Sequence, residues 1–322
     1  MPLTKNPKER AEMAFRLTKL LAFIQRNRTP LLLTGCGAVF FAKTFYHVFP
    51  GHTYRKVYQA WHKGEPASLS EKLENIFQDV LKDCSIKSPE KFSAFAAYGF
   101  HPVGAGVPWL PAGAQIGIPS NFNSSTDDPS GITDRTIFVN GKELEWESDS
   151  GVTLRNSLVL SPEAQKFVIA RELNRLGSGE PILKAAVGPV CLIVACVFNV
   201  AVKQIYLLQS RLVLFRGAVN IVTVVFGVFA YIFASDGLNH WVDYHSDRRA
   251  ARLSSDYAKG GLEFYEKILT QNKTLRVLMG QEGEALYAHS GNLFPGYMWK
   301  LSHAPFTSRR DKILNILKNE KV

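Results

Sequence analysis

The sequence predicts a helix-dominated α+β membrane protein whose folded part is interrupted by a transmembrane helical hairpin. Residues 185–202, between Lys184 and Lys203, form a run of 18 without Asp, Glu, Lys or Arg. Residues 217–235, between Arg216 and Asp236, form a second run of 19. A helix rises about 1.5 Å per residue, so about 17–25 apolar residues cross the hydrocarbon of a bilayer. The α+β reading rests on Asn140-Gly141, set between alternating segments in RTIFVNGKELEW, a hairpin signal among otherwise helical patterns. The averages conceal this segregation, since a mean hydropathy of −0.04 and 20% charged residues would suit a soluble chain. Two helices buried in a large soluble core are the alternative, but adjacent runs each fenced by charge favour a membrane.

Taken in chain order, residues 1–28 are a basic segment, with Lys5, Lys8, Arg10, Arg16, Lys19, Arg26 and Arg28 against Glu9 and Glu12. No small-residue cleavage site of the secretory kind follows, and a basic, acid-poor start suits mitochondrial import, although the two glutamates depart from an ordinary presequence. Residues 29–49 are a candidate membrane helix, provided Lys43 snorkels toward the headgroups. Residues 51–180 form the soluble α+β domain. Within it, 69–83 has helical spacing with Ser70 as N-cap, and 102–119 is rich in proline and glycine and therefore extended or turning. Residues 120–134 are a polar loop. A helix over 162–177 has Pro162 at its first position, after Ser161, and Gly177 at its end. The membrane helices 185–202 and 217–235 flank a basic loop, 203–216. Residues 236–322 are helical and pack back on 51–180. There, one or two helices over 243–271 break near Gly260-Gly261, and a last helix covers about 309–320 behind Ser308 and Asp311.

The net charge of +10 is dispersed and forms no basic stripe with interleaved aromatics, which argues against nucleic acid. Cys36, Cys84, Cys191 and Cys196 lack metal-ribbon spacing, and neither a disulfide framework nor a metal site is expected from them. No Walker loop, GxSxG elbow or dinucleotide fingerprint is present, so no cofactor is expected.

The sharpest constellation brackets the hairpin. Before it lies Arg171-Glu172-Leu173-Asn174-Arg175, and after it Asp243-Tyr244-His245-Ser246-Asp247. Ser302-His303-Ala304-Pro305 then precedes the last helix. In this order the pieces resemble HtpX-type membrane metallopeptidases, which carry His-Glu-x-x-His, then the hairpin, then an acidic zinc ligand. The resemblance implies a degenerate metallopeptidase-like domain interrupted by the hairpin. Arginine replaces both helix histidines, and a guanidinium has no lone pair for a metal. A catalytic zinc needs three protein ligands and an open position, and only Asp243 matches one. Zinc proteolysis is therefore not expected, and no residue is assigned a catalytic, cofactor or metal role. The expectation is instead a structural cluster of Arg171, Glu172, Arg175, Asp243, Asp247 and His303. In it, Arg171 or Arg175 pairs bidentately with Asp243 where a metal would have joined the two segments. The ordinary alternative leaves these side chains in water.

Larger segments carry a closer resemblance: FIQRNRTPLLL, LPAGAQIGIP, LSPEAQKFVIARELNRL, DRRAARLSSDYAKGGLEFYEKIL, and SGNLFPG through TSRRD. On these the chain is similar to the transmembrane protein 177 family of the mitochondrial inner membrane. That resemblance implies a non-enzymatic assembly factor in cytochrome c oxidase biogenesis. Its implied partners are the chaperone of newly made oxidase subunit 2, subunit 2 itself and membrane lipid. The alternatives are a peptidase with an unorthodox site and a scaffold without a dedicated client. The loop from Lys203 to Arg216, both included, holds three basic and no acidic residues. It therefore favours the matrix and puts the main domain in the intermembrane space.

Overall fold

The computed structural model describes residues 12–319 except 14, 17, 20, 21, 24, 25, 126, 211, 212 and 297–302. Most of the basic segment expected over 1–28 lies outside the described residues, as do Arg211 and Ser302. The elements are, in order, α1 (Arg28–Val48), α2 (Tyr54–Tyr58), β1 (Trp61–His62), β2 (Glu65–Pro66), α3 (Glu71–Asp83), β3 (Phe92–Ala97), β4 (Val103–Gly106) and β5 (Ala114–Pro119). There follow α4 (Ser130–Thr133), β6 (Phe138–Val139), β7 (Lys142–Glu143), α5 (Asp149–Leu158) and α6 (Pro162–Gly177). The chain continues with α7 (Glu180–Ile205), α8 (Val213–Ala251), α9 (Ser255–Leu278), α10 (Gln281–Leu286) and α11 (Phe306–Asn319).

Two compact units emerge, one of Met1–Lys43 with Ala185–Tyr231, the other of Thr44–Lys184 with Ile232–Val322. The first unit is built from α1, α7 and α8, three helices long and apolar enough to cross a membrane. Small residues let α7 and α8 approach closely: a Cβ on Gly227 would lie 3.2 Å from the Ala195 Cβ. Polar side chains join the same pair. Asn199 Nδ2 donates to Thr223 Oγ1 at 2.8 Å and to Asn220 Oδ1 at 3.2 Å, and Lys203 Nζ donates to Asn220 Oδ1 at 2.6 Å. Lys43, the charge that interrupts the first apolar run, donates to the Tyr231 hydroxyl at 2.9 Å. The loop between α7 and α8 is shorter than the 203–216 expected, because both helices run past the apolar windows. Charge at Lys203 and Arg216 marks where hydrocarbon ends, whereas backbone hydrogen bonding continues unimpaired in water.

The second unit is organised around α6. Its buried positions include Ala164, Phe167, Val168, Ile169, Ala170, Leu173 and Leu176, covering most of its circumference, so it is a central helix rather than an amphipathic surface one. Ser161 caps it, accepting from the Ala164 amide at 3.1 Å. Around it lie α3, α9 and a three-stranded sheet in the order β3-β5-β4, with β3 parallel and β4 antiparallel to β5. The Asn140-Gly141 turn does join β6 to β7, both residues at positive φ, the geometry of a tight two-residue hairpin.

Two boundaries differ from expectation. The helix break near Gly260-Gly261 falls instead at 252–254, where Ser254 caps α9. The glycines sit inside α9 because a Cβ on Gly260 would come within 2.3 Å of the Glu163 carbonyl, so they admit the start of α6. The last helix begins at Phe306, and Ser308 Oγ bonds the Tyr244 hydroxyl at 2.9 Å rather than opening the helix.

Candidate functional site: a buried guanidinium–carboxylate cluster

Alpha-helical spacing puts Arg171, Glu172 and Arg175 on adjoining faces of α6, while Asp243 and Asp247, four apart, share one face of α8. Both carboxylate-bearing segments are buried: Glu172 is 3% exposed, Asp243 5% and Asp247 3%. They are not solvated charges on surface helices.

Arg171 lies between the two helices. Its Nε is 3.3 Å from Asp247 Oδ1, its Nη2 3.6 Å from Asp243 Oδ1, and its Nη1 3.6 Å from Glu172 Oε1. These are ion pairs without hydrogen-bond geometry at Nε, so the bidentate Arg171–Asp243 pair expected from the sequence is not what forms. Arg175 does not pair with Asp243 at all. It forks onto Glu172 Oε2 through Nε at 2.9 Å and Nη2 at 2.6 Å, reaches Glu180 at 3.0 Å, and donates to the Gly104 carbonyl at 3.1 Å. Burial opposes its charge, but the Glu172 and Glu180 carboxylates outweigh burial and hold its pKa above the ordinary arginine value.

The bidentate partner is Arg309, on α11. It donates to Asp247 Oδ2 through Nε at 2.6 Å and to Oδ1 through Nη2 at 2.8 Å, and its Nη1 lies 3.2 Å from Asp243 Oδ1. At 2% exposure it is among the largest fully buried side chains of the molecule. Burial again disfavours the cation and Asp247 overrides it, leaving the pKa raised. Tyr265 of α9 completes the shell: its hydroxyl donates to Asp247 Oδ1 at 2.7 Å, and its ring faces the Arg309 guanidinium at 4.9 Å. Burial keeps that phenol protonated far above its usual range, so it remains a donor. Asp243 Oδ2 accepts from the Ala304 amide at 3.1 Å, and the half-exposed His303 lies 3.6 Å from the same oxygen.

Counting Lys184, which pairs with Glu180, four cations meet four carboxylates: Arg171, Arg175, Lys184 and Arg309 against Glu172, Glu180, Asp243 and Asp247. All six residues expected in the cluster are brought together, with His303 at its rim. Arg309, Tyr265 and Glu180 were missed. A signal for Arg309 existed: it lies four residues before buried Ile313, which places it on the buried face of α11. The adjacent Arg310 turns to exposed Asp311 instead. Chemically, the arrangement fastens α6, α8 and α11 together. Guanidinium groups fill the space beside Asp243 and Asp247 and oppose any added cation. Among the described residues, no three His, Cys, Asp or Glu converge as a metal-holding group.

Three long apolar helices, and a folded unit fastened by a neutral internal ion cluster, define a helical membrane protein. The comparisons identify which kind. This chain belongs to the transmembrane protein 177 family, whose profile matches residues 130–297. It is similar to transmembrane protein 177 of Danio rerio, 69% identical over 310 residues that cover 96% of this chain and 100% of that protein. The Xenopus laevis protein of that name is 48% identical over 301 residues, covering 94% of this chain and 97% of the relative. The Homo sapiens protein is 41% identical over 304 residues, with the same coverage of each. No solved structure gives a significant match.

Proposed function

We propose that this protein is a non-enzymatic assembly factor of the mitochondrial inner membrane. It associates with the chaperone of newly made cytochrome c oxidase subunit 2 and stabilises it, as the family resemblance implies. The second unit is a degenerate metallopeptidase-like domain, facing the intermembrane space, in which an arginine clasp occupies the place of a metal. The observation that carries the non-enzymatic part is the fork of Arg309 on Asp247, with Arg171 beside Asp243. The one residue that matches a ligand position is already neutralised by guanidinium groups, and Glu172 is taken up by Arg175. A carboxylate so paired has no metal-bound water to activate.

The test is affinity purification of the tagged full chain from mild-detergent mitochondrial extracts, read by quantitative mass spectrometry. Enrichment of oxidase subunit 2 together with its chaperone is expected, and a profile lacking both refutes the assembly role. Elemental analysis of the pure protein checks the clasp separately. Stoichiometric zinc that disappears in Asp243→Ala would overturn the non-enzymatic reading.

A further inference from the structure

The turn between β4 and β5 reads Val-Pro-Trp-Leu-Pro-Ala-Gly over residues 107–113, without one charged or hydrogen-bonding side chain other than the Trp109 indole. Its ends are fixed. Gly106 and Gly113 both take positive φ, and the Val107 amide donates to the Gly113 carbonyl at 3.0 Å, pinching the turn into a projecting tip. At that tip Trp109 is 60% exposed, and Pro111 and Ala112 are exposed beside it. An exposed tryptophan on an uncharged tip pairs an apolar body with one polar N–H.

Two contacts inside the second unit tie the tip to residues that adjoin the membrane helices in sequence. The Gly106 amide donates to His47 Nδ1 at 3.2 Å, and His47 lies in the last turn of α1. On the other side, the Trp109 ring lies over Gly179, where a Cβ would come within 2.7 Å of it. Gly179 is the residue immediately before α7. The tip thus touches the last turn of α1 and the residue that precedes α7. His47 is four residues past Lys43 and Gly179 five residues before Lys184, the charges that bound the two apolar runs, so both contacts fall within about two helical turns of those runs in sequence.

We infer that the β4–β5 turn is an interfacial membrane anchor, with Trp109 lodged at the boundary between lipid headgroups and acyl chains. Tryptophan is suited to that zone because its ring is apolar while its indole N–H seeks a polar partner. The occupant is lipid rather than a protein because the tip carries no charge or patterned polar group to specify one, and because the residues it touches lead directly, in sequence, into two membrane helices.

The full chain in nanodiscs tests this, with lipids either unbrominated or brominated on the acyl chain near the glycerol. Subtracting the fluorescence of Trp109→Phe from that of the native chain isolates the Trp109 signal through one conservative change at an exposed position. Trp146→Phe gives the same for Trp146, which packs beside buried Leu144 and Leu154. Brominated lipid is expected to quench the Trp109 signal at least twofold and to leave the Trp146 signal unchanged. A Trp109 signal quenched no more than that of Trp146 overturns the inference and leaves a protein as the occupant of the tip.

Discussion

Replacing Arg309 by Met keeps the length of the side chain and removes its charge, so it tests the clasp rather than the packing of α11. In the native unit the guanidinium neutralises Asp247 through two bonds of 2.6 and 2.8 Å and lies 3.2 Å from Asp243. Without it, three cations face four carboxylates. Arg171, at 3.3 Å from Asp247 and 3.6 Å from Asp243, must then serve both. Breaking a buried pair from one side costs about 3–5 kcal/mol, because the surviving charge stays desolvated. For a domain of about 150–250 residues each kcal/mol moves Tm by about 2–4 °C, so a fall of about 6–20 °C is expected. Intrinsic fluorescence during a thermal ramp in mild detergent reads it. The double variant Arg309→Met with Asp247→Asn removes both charges and leaves an acceptor for Tyr265, so it should lie closer to the native Tm than the single variant does. A single-variant fall below about 2 °C on that scale, or a double variant as unstable as the sum of the two singles, would refute the clasp.

Three further outcomes follow from local geometry. Glu263 accepts from the Ser161 amide at 3.0 Å and from Lys267 at 2.8 Å; burial raises its pKa, but these partners prevail and hold it below the ordinary glutamate value. Its stabilisation is therefore complete above the unfolded pKa near 4.5 and is lost as pH falls through the lower folded value, so Glu263→Gln should flatten the acid limb of a Tm–pH curve. An unchanged limb would show that the carboxylate contributes nothing. Gly260→Ala should destabilise by about 1–3 kcal/mol through the clash with Glu163, whereas Gly177→Ala, with nothing within 4 Å of the new Cβ, should be neutral or stabilising by up to about 1 kcal/mol; unfolding midpoints compare the two directly. Asn220→Leu removes the acceptor for Asn199 and Lys203 between α7 and α8 and should cost about 0.6–1.7 kcal/mol in an SDS unfolding titration, a loss that Val224→Leu on an exposed position should not reproduce.

The membrane helices were legible because charge is excluded from long uninterrupted windows, a signal that needs no tertiary information. The α6 boundaries were equally legible, since Ser161, Pro162 and Gly177 act on their own backbone neighbourhood. What stayed hidden depends on distant partners. Gly260-Gly261 reads as a break in isolation, yet the pair serves the approach of α9 to Glu163, which local propensity does not encode. Within the cluster, motif order brought Arg171, Arg175 and Asp243 into one place but did not fix which guanidinium forks onto which carboxylate. Arg309 is one of two adjacent arginines, and only the register of α11 against Ile313 separates the buried one from the exposed one. Of the three-stranded sheet, β4 and β5 were visible only as proline- and glycine-rich chain over 102–119 and β3 was not read at all, because the strands are short and β3 and β4 rely on small residues rather than on β-branched alternation.

The order in which the clasp acquires its members sets a sequence on folding. Asp247 emerges 62 residues before Arg309, so in a chain growing from its N-terminus the four carboxylates face only Arg171, Arg175 and Lys184 until α11 follows. Closing such a long span costs entropy that the final ion pairs offset together with the packing of Ile313, Ile316 and Leu317 on the core. Until then α6 and α8 can settle against one another only with one carboxylate charge in excess. The cluster thus reaches neutrality only when one arginine near the start of α11 meets the two aspartates of α8.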